Sequence, residues 1–138
     1  MALRLCPMGQ HEIDSESLPY AVDKLARKSD VGTDAFFALD LRAGRVVAVE
    51  EFPEARKPSW KIAVDFGPVI GTLWSSAQIM NYSREELLGR KVVGVVNLGS
   101  KRIAGFLSEF LVLGALDPDG VVRLLQLEEE VEPGAPIA

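Results

Sequence analysis

The sequence predicts a small all-β domain in which about five short strands are interrupted by one short helix, and three observations carry that expectation. Trp60, Ile62, Val64 and Phe66 alternate strictly with Lys61, Ala63 and Asp65, the period of a strand with one buried face. Turn residues punctuate the chain at short intervals, in Gly67-Pro68, Gly71, Asp117-Pro118-Asp119-Gly120 and Pro133-Gly134, where their backbone preferences favour reversal of the chain. The clearest helix signature is confined to Ser83 through Gly89, where Ser83 and Glu86 form a capping box and the glycine suits the left-handed position that ends a helix.

Residues 1–33 are mixed in polarity and read as an N-terminal extension. Within it Ser17 can cap a short helix with Leu18, Val22 and Leu25 on one face and Lys24, Arg27 and Lys28 outside. Docking of that stripe on the body or a partner chain, and a partly ordered tail, both remain open. The domain proper is expected over residues 34–138. Asp34 can cap one turn through Phe36, Phe37 and Leu39, and residues 41–50 follow as a long strand with Gly44 allowing a bend. Residues 60–66 and 72–79 are the next two strands, the latter carrying Ser75, Ser76 and Gln78 among Leu73, Trp74 and Ile79.

After the capped helix, with Leu87 and Leu88 on its apolar side, residues 91–97 form a strand, 98–106 a polar loop and 107–115 a strongly apolar strand. The turn at Asp117–Gly120 leads into residues 121–126, and Pro133-Gly134 directs the tail towards Ile137. A helix between strands 3 and 4 of a five-stranded Greek-key barrel is the order of an OB fold.

The chain's 138 residues suit one domain, and its 48% hydrophobic and 25% charged residues are ordinary for a globular protein. Its net charge of −5 argues against a uniformly positive nucleic-acid surface. Glu128, Glu129, Glu130 and Glu132 crowd the end, however, and charges between Asp34 and Leu127 balance, which leaves room for a local basic groove. The acidic run itself reads as a solvated tail. Cys6 is the only cysteine and His11 the only histidine, so neither a disulfide nor a closed zinc site is expected within the chain. No secretory signal or apolar run of about 18 residues is seen, and a cytoplasmic protein is expected. Phosphate-binding G-x-x-x-x-G-K-[ST] and G-x-G-x-x-G motifs are missing from the sequence, so no cofactor, metal or enzymatic activity is expected.

Candidate contacts are the bases Arg42, Arg45, Arg56, Lys57 and Lys61, which fall on the first two strands and their connection, the region through which OB folds often meet extended ligands. Glu50, Glu51 and Glu54 are interleaved with them, so a mixed-charge solvated face is the competing reading. Trp60 shares the apolar face of its strand and is expected in the core. Trp74, beside Ser75, Ser76 and Gln78, is open to base stacking or to capture of an apolar peptide side chain.

The segments LDLRAG (Leu39 to Gly44), EFPEARKPSWKIAVDF (Glu51 to Phe66), SSAQI (Ser75 to Ile79) and VVNLGSKRIAGFLSEFLVLG (Val95 to Gly114) together resemble the tRNA-binding-domain family. The resemblance spans about Asp34 to Ile137 and is nearest to the CsaA-type secretion chaperones. It implies an OB fold, a homodimer and binding without chemistry, with two ligand classes: tRNA, or unfolded precursor peptides held as an export chaperone. The family's ligand-facing signature falls here on Asn97, Lys101, Arg102, Gly105, Ser108 and Leu111. Gly99 and Ser100 stand where relatives often carry proline, and Leu111 where several carry methionine. Bases at Lys101 and Arg102 suit phosphates, with Asn97 and Ser108 offering neutral hydrogen bonds; the competing reading is that both polar residues satisfy loop backbone.

Overall fold

The computed structural model describes residues 18–138. A sheet in the order β3-β2-β1-β4-β7 curls into a nearly closed antiparallel barrel, built from β1 (Leu41–Glu51), β2 (Trp60–Asp65), β3 (Thr72–Ala77), β4 (Lys91–Val95) and β7 (Leu111–Val112). Two hairpins are added, β5 (Lys101–Ile103) with β6 (Phe106–Ser108) and β8 (Gly114–Leu116) with β9 (Val122–Leu124). The expected OB order is therefore present. The apolar alternation of β2 puts Ile62, Val64 and Phe66 in the core with Val46, Val49, Ile79, Leu87, Val92, Phe110 and Leu124. Trp60 packs against that cluster and donates its ring N–H to the Tyr82 carbonyl at 3.1 Å.

Gly44 serves packing more than bending. A Cβ there would lie 2.4 Å from Val64 Cγ1, and one at Gly94 would lie 2.6 Å from Phe66 Cζ. These glycines let β1 and β4 pass close over the Phe66 ring, which meets Phe110 edge to face at 5.0 Å. The irregularity in β1 comes later, as a register shift between Val46 and Ala48.

The capped helix is α3 (Arg84–Leu87). Ser83 Oγ accepts from the Glu86 N–H at 3.1 Å and the Glu86 carboxylate accepts from the Ser83 N–H at 2.8 Å. The bond from the Ser83 backbone, with that to its side chain, holds the Glu86 carboxyl below its ordinary range. Two further single turns are α1 (Thr33–Phe37) and α2 (Gly67–Ile70).

Four expectations change. The extension forms a 3-10 turn over Val22–Lys24 with Val22 exposed, too short for the apolar stripe to act as one helical face; the Ser17 cap lies outside the described residues. Gly32, not Asp34, is the N-cap of α1. Residues 98–106, read as loop, contain β5, because Ala104 and Gly105 make a two-residue turn with φ of 49° and 81°, matching the right-handed twist of a hairpin. The apolar run 107–115 bends through three short strands, β6, β7 and β8.

The C-terminal tail finishes the sheet. β1 pairs with β2 only from Arg45 onwards, so its first residues would present an open edge. Ala43 N–H donates to Ala135 O at 2.8 Å, and Gly134 N–H and Ile137 N–H donate back to Ala43 O and Leu41 O. Ile137 and Leu127 then cover Leu41, Val93 and Val95 on the far side of the sheet, and the Lys91 ammonium, buried, donates to Val131 O at 2.7 Å.

Candidate nucleic-acid interface

The β5–β6 hairpin carries the densest set of the expected contacts. Lys101 lies opposite Ser108, Arg102 opposite Leu107 and Ile103 opposite Phe106. Lys101 and Arg102 are exposed, and Arg102 Nη1 reaches the Gly105 carbonyl at 3.3 Å. Gly105 acts through its positive φ, which the tight turn demands. Ser108 Oγ lies 3.1 Å from Ser75 Oγ, whose own hydroxyl donates to Phe110 O at 2.8 Å. These serines, with Glu109 N–H donating to Trp74 O at 2.7 Å and Trp74 N–H to Glu109 Oε1 at 3.0 Å, fasten the hairpin to the edge of β3. The hairpin is thus a rigidly rooted projection.

At its root lies an aromatic shelf. Phe106 packs edge to face against Phe52 at 5.3 Å and Trp74 at 6.3 Å. The Lys61 ammonium sits 4.7 Å from the Phe52 ring centre and 5.1 Å from that of Phe106, a placement that the ring quadrupoles favour. Glu50, Lys61, Trp74, Phe106, Leu107 and Glu109 together line an open cleft of about 350 Å³. Lys61 pairs across the strands with Glu50 on one side and Ser76 on the other. Ser76 is half-buried and Gln78 exposed just beyond β3.

The other bases do not all join this surface. Arg42 Nε donates to Asp40 Oδ1 at 2.6 Å and Nη1 to Gly134 O at 3.2 Å, which ties the arginine to the tail. Arg45 is exposed and opposite Asp65 in the β1–β2 register. Arg56 and Lys57 lie in the β1–β2 connection, the first exposed and the second half-buried. Asn97 has both ends of its amide engaged: Oδ1 accepts from Asp40 N–H at 2.7 Å and Nδ2 donates to Ala38 O at 2.9 Å. It latches the end of α1 to the strand ladder. Leu111 is exposed at 51%, opposite Val95.

Sequence reasoning missed Phe52, Phe106, Leu107 and Glu109 as lining residues. The signal was available in Lys101-Arg102-Ile103 and Phe106-Leu107-Ser108 flanking a two-residue Ala-Gly turn, which is hairpin chemistry. Among the described residues no cluster of three His, Cys, Asp or Glu could hold a metal; the Cys6 and His11 reading lies outside them. No helix among them is long and apolar enough to cross a membrane.

A curled five-stranded barrel with a basic hairpin and an aromatic shelf defines a binding module of OB type. The model of the putative tRNA binding domain family matches residues 41–136, and the chain belongs to that family. It is homologous to the C-terminal domain of methionyl-tRNA synthetase: the methionine–tRNA ligase of Methanococcus vannielii is 32% identical over 91% of this chain, which spans only 19% of that ligase. In structure it is similar to the CsaA chaperone protein of Picrophilus torridus, 45% identical with a TM-score of 0.75 over 79% of this chain and 100% of that one. A MetRS-related protein of Pyrococcus horikoshii is 31% identical with a TM-score of 0.72, over 80% of this chain and 99% of that one.

Proposed function

We propose that the chain is a non-enzymatic tRNA-binding module that acts in the cytoplasm as a homodimer, with residues 34–138 as the binding unit and residues 1–33 as an appendage. The observation that carries the reading is the exposed Lys101-Arg102 pair on a hairpin rooted beside the Lys61, Phe106 and Trp74 shelf. Cations on a rigid projection meet phosphates, and the aromatic shelf beside them meets unstacked bases. The family match over residues 41–136 supports the same ligand. Arg45, Arg56 and Lys57 would extend the phosphate track, and Ser76 and Gln78 would line its β3 side.

Exposed apolar residues support the dimer. Phe37 is 69% exposed, Leu98 54% and Leu111 51%, and Asn97 and the β4–β7 pairing join the segments that carry them. Two copies would present two hairpins to one tRNA, so that weak contacts reinforce each other. Filter binding of tRNA tests the reading: affinity falls steeply as salt rises, because neutralised phosphates release counterions, and the absence of binding even at low salt overturns it. The 45% identity to a CsaA chaperone favours a second reading, a holder of unfolded export precursors. In that case binding tolerates salt, follows client hydrophobicity and suppresses client aggregation.

A further inference from the structure

The cleft at the root of the hairpin has a chemistry more specific than general stacking. Trp74, Phe106 and Leu107 supply apolar walls, while Glu50 and Glu109 bring carboxylates to its rim. The Glu109 carboxylate is held in place, one oxygen accepting the Trp74 N–H at 3.0 Å. A positioned acceptor beside a stacking surface selects a guest that offers donors along one edge of a flat ring. Among unmodified bases guanine alone places two adjacent donor groups, N1–H and the 2-amino group, on its Watson–Crick edge. Adenine, cytosine and uracil set a ring or carbonyl acceptor beside any donor on that edge, and the carboxylate repels it.

The surrounding charge favours a nucleotide over a cationic peptide side chain. Lys61 already lies over the Phe106 ring, and Arg102 stands directly across the hairpin from Leu107, with Lys101 next to it. An arginine or lysine guest would face these cations, whereas a guanosine would give them its flanking phosphates.

We propose that this cleft is a guanine subsite, in which an unpaired guanine packs against the walls formed by Trp74, Phe106 and Leu107 and donates to Glu109 while Lys61, Lys101 and Arg102 hold the adjacent phosphates. The proposal deepens the tRNA reading and rests on it for its physiological ligand. Fluorescence anisotropy with short oligouridylates differing only in one central nucleotide tests it on the whole chain. Guanosine binds roughly tenfold tighter than adenosine or cytidine, and inosine, which lacks the 2-amino donor, falls between. Glu109→Gln keeps an oxygen for the Trp74 N–H but brings an amide in place of the second carboxylate oxygen, and collapses the preference.

Equal affinity for all the central nucleotides overturns the subsite. So does displacement of the guanosine oligonucleotide by an arginine-leucine peptide at lower concentration than by guanosine monophosphate, which gives the cleft to a peptide side chain. Failure of intact tRNA to bind overturns the broader reading instead, and leaves the guanosine preference to be judged on the oligonucleotides alone.

Discussion

The bases beside the two ends of β1, Arg42 on the strand itself and Lys61 on its β2 neighbour, look equivalent in sequence and have opposite fates. At the start of the strand Arg42 is fastened to Asp40 and to the Gly134 carbonyl, and the C-terminal tail seals the edge beside it. At the far end Glu50 and Phe52 meet Lys61 of β2, whose ammonium rests on two aromatic rings and borders an open cleft. The first arginine spends its donors inside the fold; the lysine faces the solvent side with its charge available. What surrounds a cation, not its position on the strand, decides whether it supports the structure or a ligand.

The largest perturbation removes the support common to both ends. Phe66 lies under Gly44 and Gly94 and against Phe110, so Phe66→Ala should cost about 3–5 kcal/mol in urea unfolding and weaken tail and cleft together. Retention of full stability would show that the ring is not the shared keystone. Paired substitutions separate the two ends. Arg42→Ala should lower stability by about 1–2 kcal/mol through its half-buried ion pair and carbonyl contact and leave RNA affinity nearly intact, whereas Lys61→Ala should weaken RNA binding with little thermal shift. The reverse pattern would overturn this assignment of roles.

A smaller effect comes from a cap that belongs to neither end. Ser83→Ala should cost about 1 kcal/mol without altering RNA affinity. Because the Glu86 carboxyl is held below its ordinary value of 4.5, its contribution is complete above that value and disappears as pH falls through the lowered folded one. Glu86→Gln should therefore flatten that acid limb in pH-dependent melting, and an unchanged limb would contradict the assignment. Smallest is the hairpin turn: Ala104 adopts φ 49°, a left-handed conformation that costs an alanine of the order of 1 kcal/mol, so Ala104→Gly should modestly raise the melting temperature and tighten no base contact.

Much of the barrel was legible because its determinants are local. The alternation through Trp60 to Phe66 fixed one strand, and Ser83 with Glu86 fixed the helix start. The site was less legible because its members meet only through folding. Phe52 and Phe106 are far apart in sequence, yet their rings pack edge to face. The hairpin was hidden because an Ala-Gly turn is a weaker signal than Asn-Gly, and a polar stretch reads as loop. For Asn97 the sequence offered both a ligand contact and a bond to backbone without naming the backbone partners, since the Ala38 carbonyl and Asp40 amide that engage it arrive from another part of the chain.

In the proposed tRNA complex the β5–β6 hairpin meets RNA phosphates while the tail-sealed end of β1 does not. This division is tested most directly by the salt dependence of tRNA affinity for the chain and for Lys101→Ala/Arg102→Ala, with Arg42→Ala alongside. The hairpin variant should bind more weakly, with a slope of log affinity against log salt that is shallower by about 1 for each lost phosphate contact, and the slope of Arg42→Ala should be unchanged. An unaltered slope in the hairpin variant, or a loss confined to Arg42→Ala, would contradict it.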